Sequence, residues 1–190
     1  MPRRTAIRPA KVRIIGGKWR GRKLQVASSS IRPTPDRARV TLFNWLAADL
    51  PGKRVLDLFA GTGALGFEAL SRGAGQATFV ENDRDAIDCL IQHRTRLDAA
   101  DATIEHADAM RWLTSQTSDR RWNVIFLDPP FDSPLLEPAV GAAADHLSED
   151  GIVYAESDAA FDWDAIAAAS GLEIWRQSSA GAVRYGLLRR

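Results

Sequence analysis

Val55-Leu56-Asp57-Leu58-Phe59-Ala60-Gly61-Thr62-Gly63-Ala64-Leu65-Gly66 reads as an apolar strand, a glycine turn and the first turn of a helix. In an open α/β sheet such a unit binds ligands at the carboxyl end of the strand, because glycines let the backbone approach closely. Glu81 follows Gly61 by twenty residues and closes the next apolar run, Ala77-Thr78-Phe79-Val80. A carboxylate there can accept both hydroxyls of a ribose.

Outward from this unit the chain alternates short apolar runs with helical patterns. Strands are expected at about 54–59, 76–82, 103–107, 123–128, 151–157, 172–179 and 182–189. Helices are expected at about 37–48, 63–72, 84–97, 109–116, 134–146 and 162–169. Near-continuously apolar strands separated by helices imply a mainly parallel sheet covered on both faces. Only Gly181 and its neighbours separate the last two strands, so these should pair antiparallel. The expected fold is α/β and Rossmann-like: seven strands, mostly parallel, with an antiparallel last strand.

Gly61, Gly63 and Gly66 satisfy G-x-G-x-x-G, so a nicotinamide or flavin oxidoreductase is one reading. Asp57 opposes it, because a carboxylate beside the glycine turn would repel a pyrophosphate. The same acid suits a ligand that carries a sulfonium and an ammonium, as S-adenosylmethionine does. Asp108-Ala109 ends the third strand, where Asp108 could take an adenine amino group. Either aspartate could instead only cap a neighbouring loop.

A second constellation lies at the end of Asn123-Val124-Ile125-Phe126-Leu127, which runs into Asp128-Pro129-Pro130-Phe131. Prolines cannot continue a ladder and they fix the backbone. The Asp128 carboxylate and the Pro129 carbonyl then form two acceptors for an amine with two hydrogens. Accepting both localises the nitrogen lone pair and aims it for in-line displacement. Phe131 can stack on the base that carries the amine. Read in isolation, the tetrapeptide is an ordinary turn; its place after the fourth strand favours the amine site.

Residues 1–39 hold 12 Lys and Arg against one acid, Asp36, a net +11; residues 40–190 hold 13 basic and 23 acidic residues, a net −10. A basic segment of this kind fits a polyanionic partner, although a solvated tail would look similar. Val12-Arg13-Ile14-Ile15, Gly16-Gly17 and Lys18 to Val26 predict a β-hairpin around the two glycines, with Trp19 and several basic side chains displayed. Ser28-Ser29-Ser30 reads as a linker. The helix after Pro33 and Pro35 is expected to turn Val40, Phe43 and Ala47 to one face.

The chain's 190 residues, 45% of them hydrophobic, suit one core with a small appendage. A basic extension over 1–30 and a catalytic domain over 31–190 are expected. No apolar run approaches the roughly 20 residues that span a bilayer, and Met-Pro-Arg-Arg-Thr is not followed by a signal core. The single cysteine, Cys89, allows no internal disulfide. A cytoplasmic protein without a membrane partner, acting as a monomer, is expected. His93, His106 and His146 lack ligand spacing, so no metal site is expected, and each reads as a surface or packing residue.

The Asp-x-Phe-x-Gly-x-Gly loop, Glu81, Asp108 and Asp-Pro-Pro-Phe resemble class I S-adenosylmethionine-dependent methyltransferases that act on exocyclic amines of nucleic-acid bases. More narrowly, Ile14 to Leu24, Arg32-Pro33-Thr34, Thr41-Leu42-Phe43-Asn44 and Asp57 to Gly73 resemble the RsmD-like bacterial 16S ribosomal RNA guanine-N2 methyltransferases. That resemblance implies transfer of a methyl group from S-adenosylmethionine to a guanine N2 of small-subunit ribosomal RNA, free or in an assembling subunit. It implies a cofactor site of Asp57, Phe59, Gly61, Thr62, Gly63, Glu81, Asn82, Asp108 and Ala109, and a catalytic set of Asp128, Pro129, Pro130 and Phe131. RNA contacts would come from Lys18, Trp19, Arg20, Arg22, Lys23, Arg32, Thr34 and Arg37. Such a family usually has an acid where this chain has Val40 after Arg39. Rival readings are a DNA adenine or cytosine amino-methyltransferase and a non-catalytic RNA-binding assembly factor.

Overall fold

The computed structural model describes residues 11–27, 36–117, 119–131, 133–158 and 161–190. Its strands are β1 (Lys11–Arg13), β2 (Lys23–Gln25), β3 (Arg54–Asp57), β4 (Gln76–Glu81), β5 (Ala102–His106), β6 (Trp122–Leu127), β7 (Leu147–Ser157), β8 (Glu173–Ala180) and β9 (Val183–Arg189). Its helices are α1 (Asp36–Trp45), α2 (Ala64–Ser71), α3 (Arg84–Leu97), α4 (Ala109–Thr114), α5 (Leu136–Asp145) and α6 (Trp163–Ser170). The main sheet has seven strands in the order β5-β4-β3-β6-β7-β9-β8, and β1 pairs with β2 apart from it.

Strands β3 to β7 run parallel, whereas β9 is antiparallel to both neighbours. The chain steps outward from β3 to β4 and β5, then returns to lay β6 on the other side of β3. The carboxyl ends of β3 and β6 therefore border the crevice where strand order reverses, the usual ligand position in such sheets.

Alternation sorts the core into two layers. Val55, Val124, Phe126, Ile152 and Tyr154 face α1, α2, α3 and the β1–β2 hairpin. Leu56, Leu58, Ile125, Leu127 and Val153 face α4, α5 and α6. Among the described residues, no helix is long and apolar enough to cross a membrane.

The hairpin differs from the expected two-glycine turn. Its strands are three residues each, and residues 14–22 form a wider connection holding a 3₁₀ turn at Gly17–Trp19. Ile14 N–H donates to the Arg22 carbonyl and Gly21 N–H to the Ile14 carbonyl, both at 2.9 Å. Gly17 has φ +74°, and a Cβ there would lie 1.8 Å from the Ser71 carbonyl oxygen, so this position must be glycine. Trp19, expected on display, is 9% exposed and packs edge-on against Phe67 with centroids 6.5 Å apart. An indole so placed fills the core.

Helix α1 also turns differently. It buries Ala38, Arg39, Leu42 and Phe43, while Val40 is 39% exposed and Ala47 lies outward. Arg39 can be buried because Nη2 meets Asp36 Oδ1 at 2.6 Å and Nη1 donates to the Arg13 carbonyl at 3.0 Å. Asp36 thus orients this arginine, and the neighbouring Val40 lies exposed.

Candidate functional site

Four acids gather along the carboxyl edge of the sheet: Asp57 on β3, Glu81 on β4, Asp128 after β6 and Glu156 on β7. Asp57 is 2% exposed, and its Oδ2 accepts the Gly66 N–H at 2.9 Å. Burial pushes its carboxyl up to about 8, opposed by the Gly66 bond, with the charges of Asp128 and Glu81 adding to the rise. A buried acid beside like charges favours a cationic ligand, because the cation would offset both the desolvation and the repulsion. No such pressure favours a pyrophosphate.

Glu81 fastens the glycine loop. Its Oε2 accepts the Gly61 N–H at 2.7 Å, while Oε1 accepts the N–H groups of Asn82 and Asp83 at 2.7 and 2.8 Å. Gly63 takes φ +73° as the residue before α2. Thr62 and Gly63 are buried, and Gly61 and Phe59 are half-buried beside them. Asn82 is exposed, and its carbonyl lies 3.1 Å from His106 Nε2. Asp108 caps α4: its Oδ1 accepts the Arg111 N–H at 2.9 Å, and Ala109 begins the helix. Asp108 makes the capping bond of α4, whereas Asp57 reaches from the end of β3 to the Gly66 N–H in the first turn of α2.

Asp128 is half-buried, Pro129 buried, and Pro130 exposed. Phe131 is 38% exposed, an unusual state for a phenylalanine and one that leaves a ring face open. Pro129, Pro130 and Phe131 line a cleft of about 220 Å³ together with Glu156 and Phe161. No glycine-loop residue is among those lining that cleft, but Asp57 pairs with Phe126 in the parallel register of β3 and β6, so the loop and the Asp-Pro-Pro-Phe corner leave adjacent strands at the switch of strand order.

The basic residues fall elsewhere. Lys18, Arg20, Arg22, Lys23 and Arg37 are exposed, with Lys18 Nζ 4.3 Å from the Trp19 ring centroid. Arg32 and Thr34 lie outside the described residues. Arg13 pairs with Lys23 and Lys11 with Gln25 across the hairpin, so these side chains share one face opposite buried Val12 and Leu24. Lys11, Arg13 and Lys23, with Asp36, line a second cleft of about 450 Å³.

Side chains that anchor the hairpin escaped the sequence reading. Glu68 accepts Ile15 N–H at 2.6 Å and Gly16 N–H at 2.8 Å, and also holds Arg72 Nε at 2.7 Å. Ser71 Oγ accepts from Trp19 N–H and donates to the Gly16 carbonyl. His93, 1% exposed, accepts the Gln25 N–H at Nε2, 2.9 Å away. The available signal was a lone acid, Glu68, inside the otherwise apolar run Leu65 to Leu70. Such an acid in a core helix needs partners.

Comparison with known families places residues 12–189 on the model named "Conserved hypothetical protein 95". The chain belongs to this family. One relative, ribosomal RNA small subunit methyltransferase D of Escherichia coli strain K12, is 42% identical over 183 residues, covering 95% of this chain and 90% of that protein. The solved Escherichia coli protein yhhF, a methyltransferase candidate, superposes with a TM-score of 0.83 at 42% identity over 95% of this chain and 98% of that one. The 16S rRNA N2 G1207 methyltransferase RsmC of T. thermophilus, solved with AdoMet and guanosine, shares the fold. It matches at TM-score 0.75 and 21% identity, over 96% of this chain and 50% of that one. The conserved hypothetical protein 95 match spans the hairpin as well as the sheet.

Proposed function

We propose that this chain transfers a methyl group from S-adenosylmethionine to the exocyclic N2 of a guanine in small-subunit ribosomal RNA, acting as a monomer in the cytoplasm. The observation that carries the reading is the pairing, at the reversal of strand order, of a glycine loop around buried Asp57 with the Asp128-Pro129-Pro130-Phe131 corner. The 42% identity to a protein named for small-subunit ribosomal RNA methylation supports the choice of polymer.

Asp57, Phe59, Gly61, Thr62, Gly63, Glu81, Asn82, Asp108 and Ala109 would hold the cofactor. The donor set fits: desolvated Asp57 matches a sulfonium and ammonium ligand, and Glu81 matches a ribose. The bound cofactor supplies an electrophilic methyl group. Asp128 and the Pro129 carbonyl accept the two amine hydrogens, which localises the nitrogen lone pair. Phe131 stacks on the base, which must be unstacked from its neighbours to reach the corner.

Residues 1–30 serve in this reading as the RNA-gripping extension of a catalytic domain at 31–190. Lys11 and Arg13 join Lys18, Arg20, Arg22, Lys23, Arg32, Thr34 and Arg37 in contacting phosphates, since the strand face of the hairpin carries charge as dense as its tip. Trp19 supports this surface from beneath.

The test is methyl transfer from labelled S-adenosylmethionine to small subunits and naked ribosomal RNA from a strain lacking the protein, followed by nucleoside analysis. N2-methylguanosine is expected. Label found only in DNA, or in no nucleic acid, would overturn the assignment.

A further inference from the structure

Glu156 takes no part in the scheme above, yet it is 1% exposed and lines the same cleft as Phe131. It lies on β7 next to β6, where the parallel register pairs Leu127 with Ala155. The following residues are Asp128 and Glu156, so two carboxylates stand at the ends of adjacent strands. Tyr154 Oη donates to Glu156 Oε1 at 2.6 Å. The Tyr154 hydroxyl is held far above its ordinary value, first by burial and then by the Glu156 charge. It therefore remains a donor at any working pH and fixes the orientation of the carboxylate.

The cleft itself, about 220 Å³, is smaller than the ~300–1,000 Å³ typical of sites for whole drug-sized ligands. It suits one planar ring, with Phe131 and half-buried Phe161 among its walls. Of the other acids that line it, Glu137 and Asp158 are exposed, whereas Glu156 is enclosed and braced.

We propose that Glu156 is the specificity-determining residue that accepts the N1–H of the substrate guanine while Asp128 holds its N2 amine. This rests on the base-amine reading of Asp128. In guanine the ring nitrogen next to the reactive amine is a donor. In adenine and cytosine the corresponding nitrogen carries a lone pair. A carboxylate at that position bonds guanine and repels the other two bases, and with about four acceptor positions a carboxylate can hold several donors at once. Sites built to bond a polar group reject analogues that lack it far more strongly than apolar pockets reject shape variants. Phe131 alone would stack on any base.

The test places 2-aminopurine at the guanine that the wild-type protein methylates, within reconstituted small subunits. This analogue keeps the amine but presents a lone pair at N1. Wild-type protein should prefer guanine strongly. Glu156→Gln should lose at least about 10-fold in kcat/KM on guanine and narrow the guanine to 2-aminopurine ratio by roughly 10²-fold, because the Gln amide can donate to N1. Affinity for S-adenosylmethionine should stay within about 2-fold. Tyr154→Phe, which removes the brace but leaves the carboxylate, should lower the rate on guanine and keep the preference. An equal loss on both bases, or an unchanged ratio, overturns the role of Glu156 while leaving guanine methylation intact. Failure of the wild-type protein to methylate any guanine overturns both readings.

Discussion

Asp57 Oδ2 accepts the N–H of Gly66 across nine residues of chain, closing the glycine loop over a carboxylate that water does not reach. That burial raises the carboxyl from 3.8 to about 8. The folded chain thus holds this proton more tightly than the unfolded chain. The stability contributed is complete below the unfolded value and is lost as pH rises through about 8. Asp57→Asn, which retains an acceptor for Gly66, should match wild type in thermal stability near about pH 3 and exceed it increasingly up to about pH 8–9. Melting curves across that range check this, and parallel curves for the two proteins would exclude it.

Cofactor binding should carry the same signature with the opposite benefit. A cationic ligand prefers ionised Asp57, so affinity for S-adenosylmethionine should rise with pH and level off above about 8, with proton release on binding near neutrality. Calorimetry in buffers of different ionisation enthalpy measures that release. Asp57→Asn should bind weakly with no such slope.

Asp128→Ala removes one of the two proposed amine acceptors. Turnover should fall by at least about 10³-fold, with cofactor affinity little changed. Retained turnover would show that the amine is held elsewhere.

His93 gives the hairpin a dependence on acid. Burial, with the charge of Arg96 next, lowers its imidazole from 6.5 to about 4. The neutral ring accepts the Gln25 N–H, so the stabilisation is complete above the unfolded value and is lost as pH falls through about 4. Hydrogen exchange at residues 23–25 should accelerate over that interval in wild type, and His93→Gln should remove the acid-dependent step.

The strand face of the hairpin should govern salt dependence. Replacing Lys11, Arg13 and Lys23 together by Gln should lower RNA affinity and reduce the slope of log K against log salt by about 2–3. An unchanged slope would place the phosphates elsewhere.

The sheet was legible because its strands are apolar runs bounded by glycine, proline or acid, and because helices separate them. Val55–Leu58 and Val124–Leu127 announce themselves in any window. The corner at Asp128 was legible for the same local reason, since two prolines after a buried strand leave few conformations. What stayed hidden depends on distant partners. Gly16-Gly17 resembles a two-residue turn, but Glu68 and Ser71, more than fifty residues away, draw the backbone into a wider loop and sink Trp19. Arg39 resembles a surface residue until Asp36 and the Arg13 carbonyl take its two terminal nitrogens, and the buried face of α1 then carries Arg39 in place of Val40. Glu156 gave no sign because its meaning comes from the strand beside it.

Helix α2 begins at the glycine loop and ends at Ser71, and its last turn carries the anchors of the hairpin. Eight residues at 1.5 Å each make it about 12 Å long. One rigid rod therefore joins the surface that would grip phosphates to the loop that would present the methyl group. In the proposed reaction the molecule acts as a gauge: a nucleotide is modified because it stands a set distance along a folded RNA from the point of grip, whatever its neighbours spell.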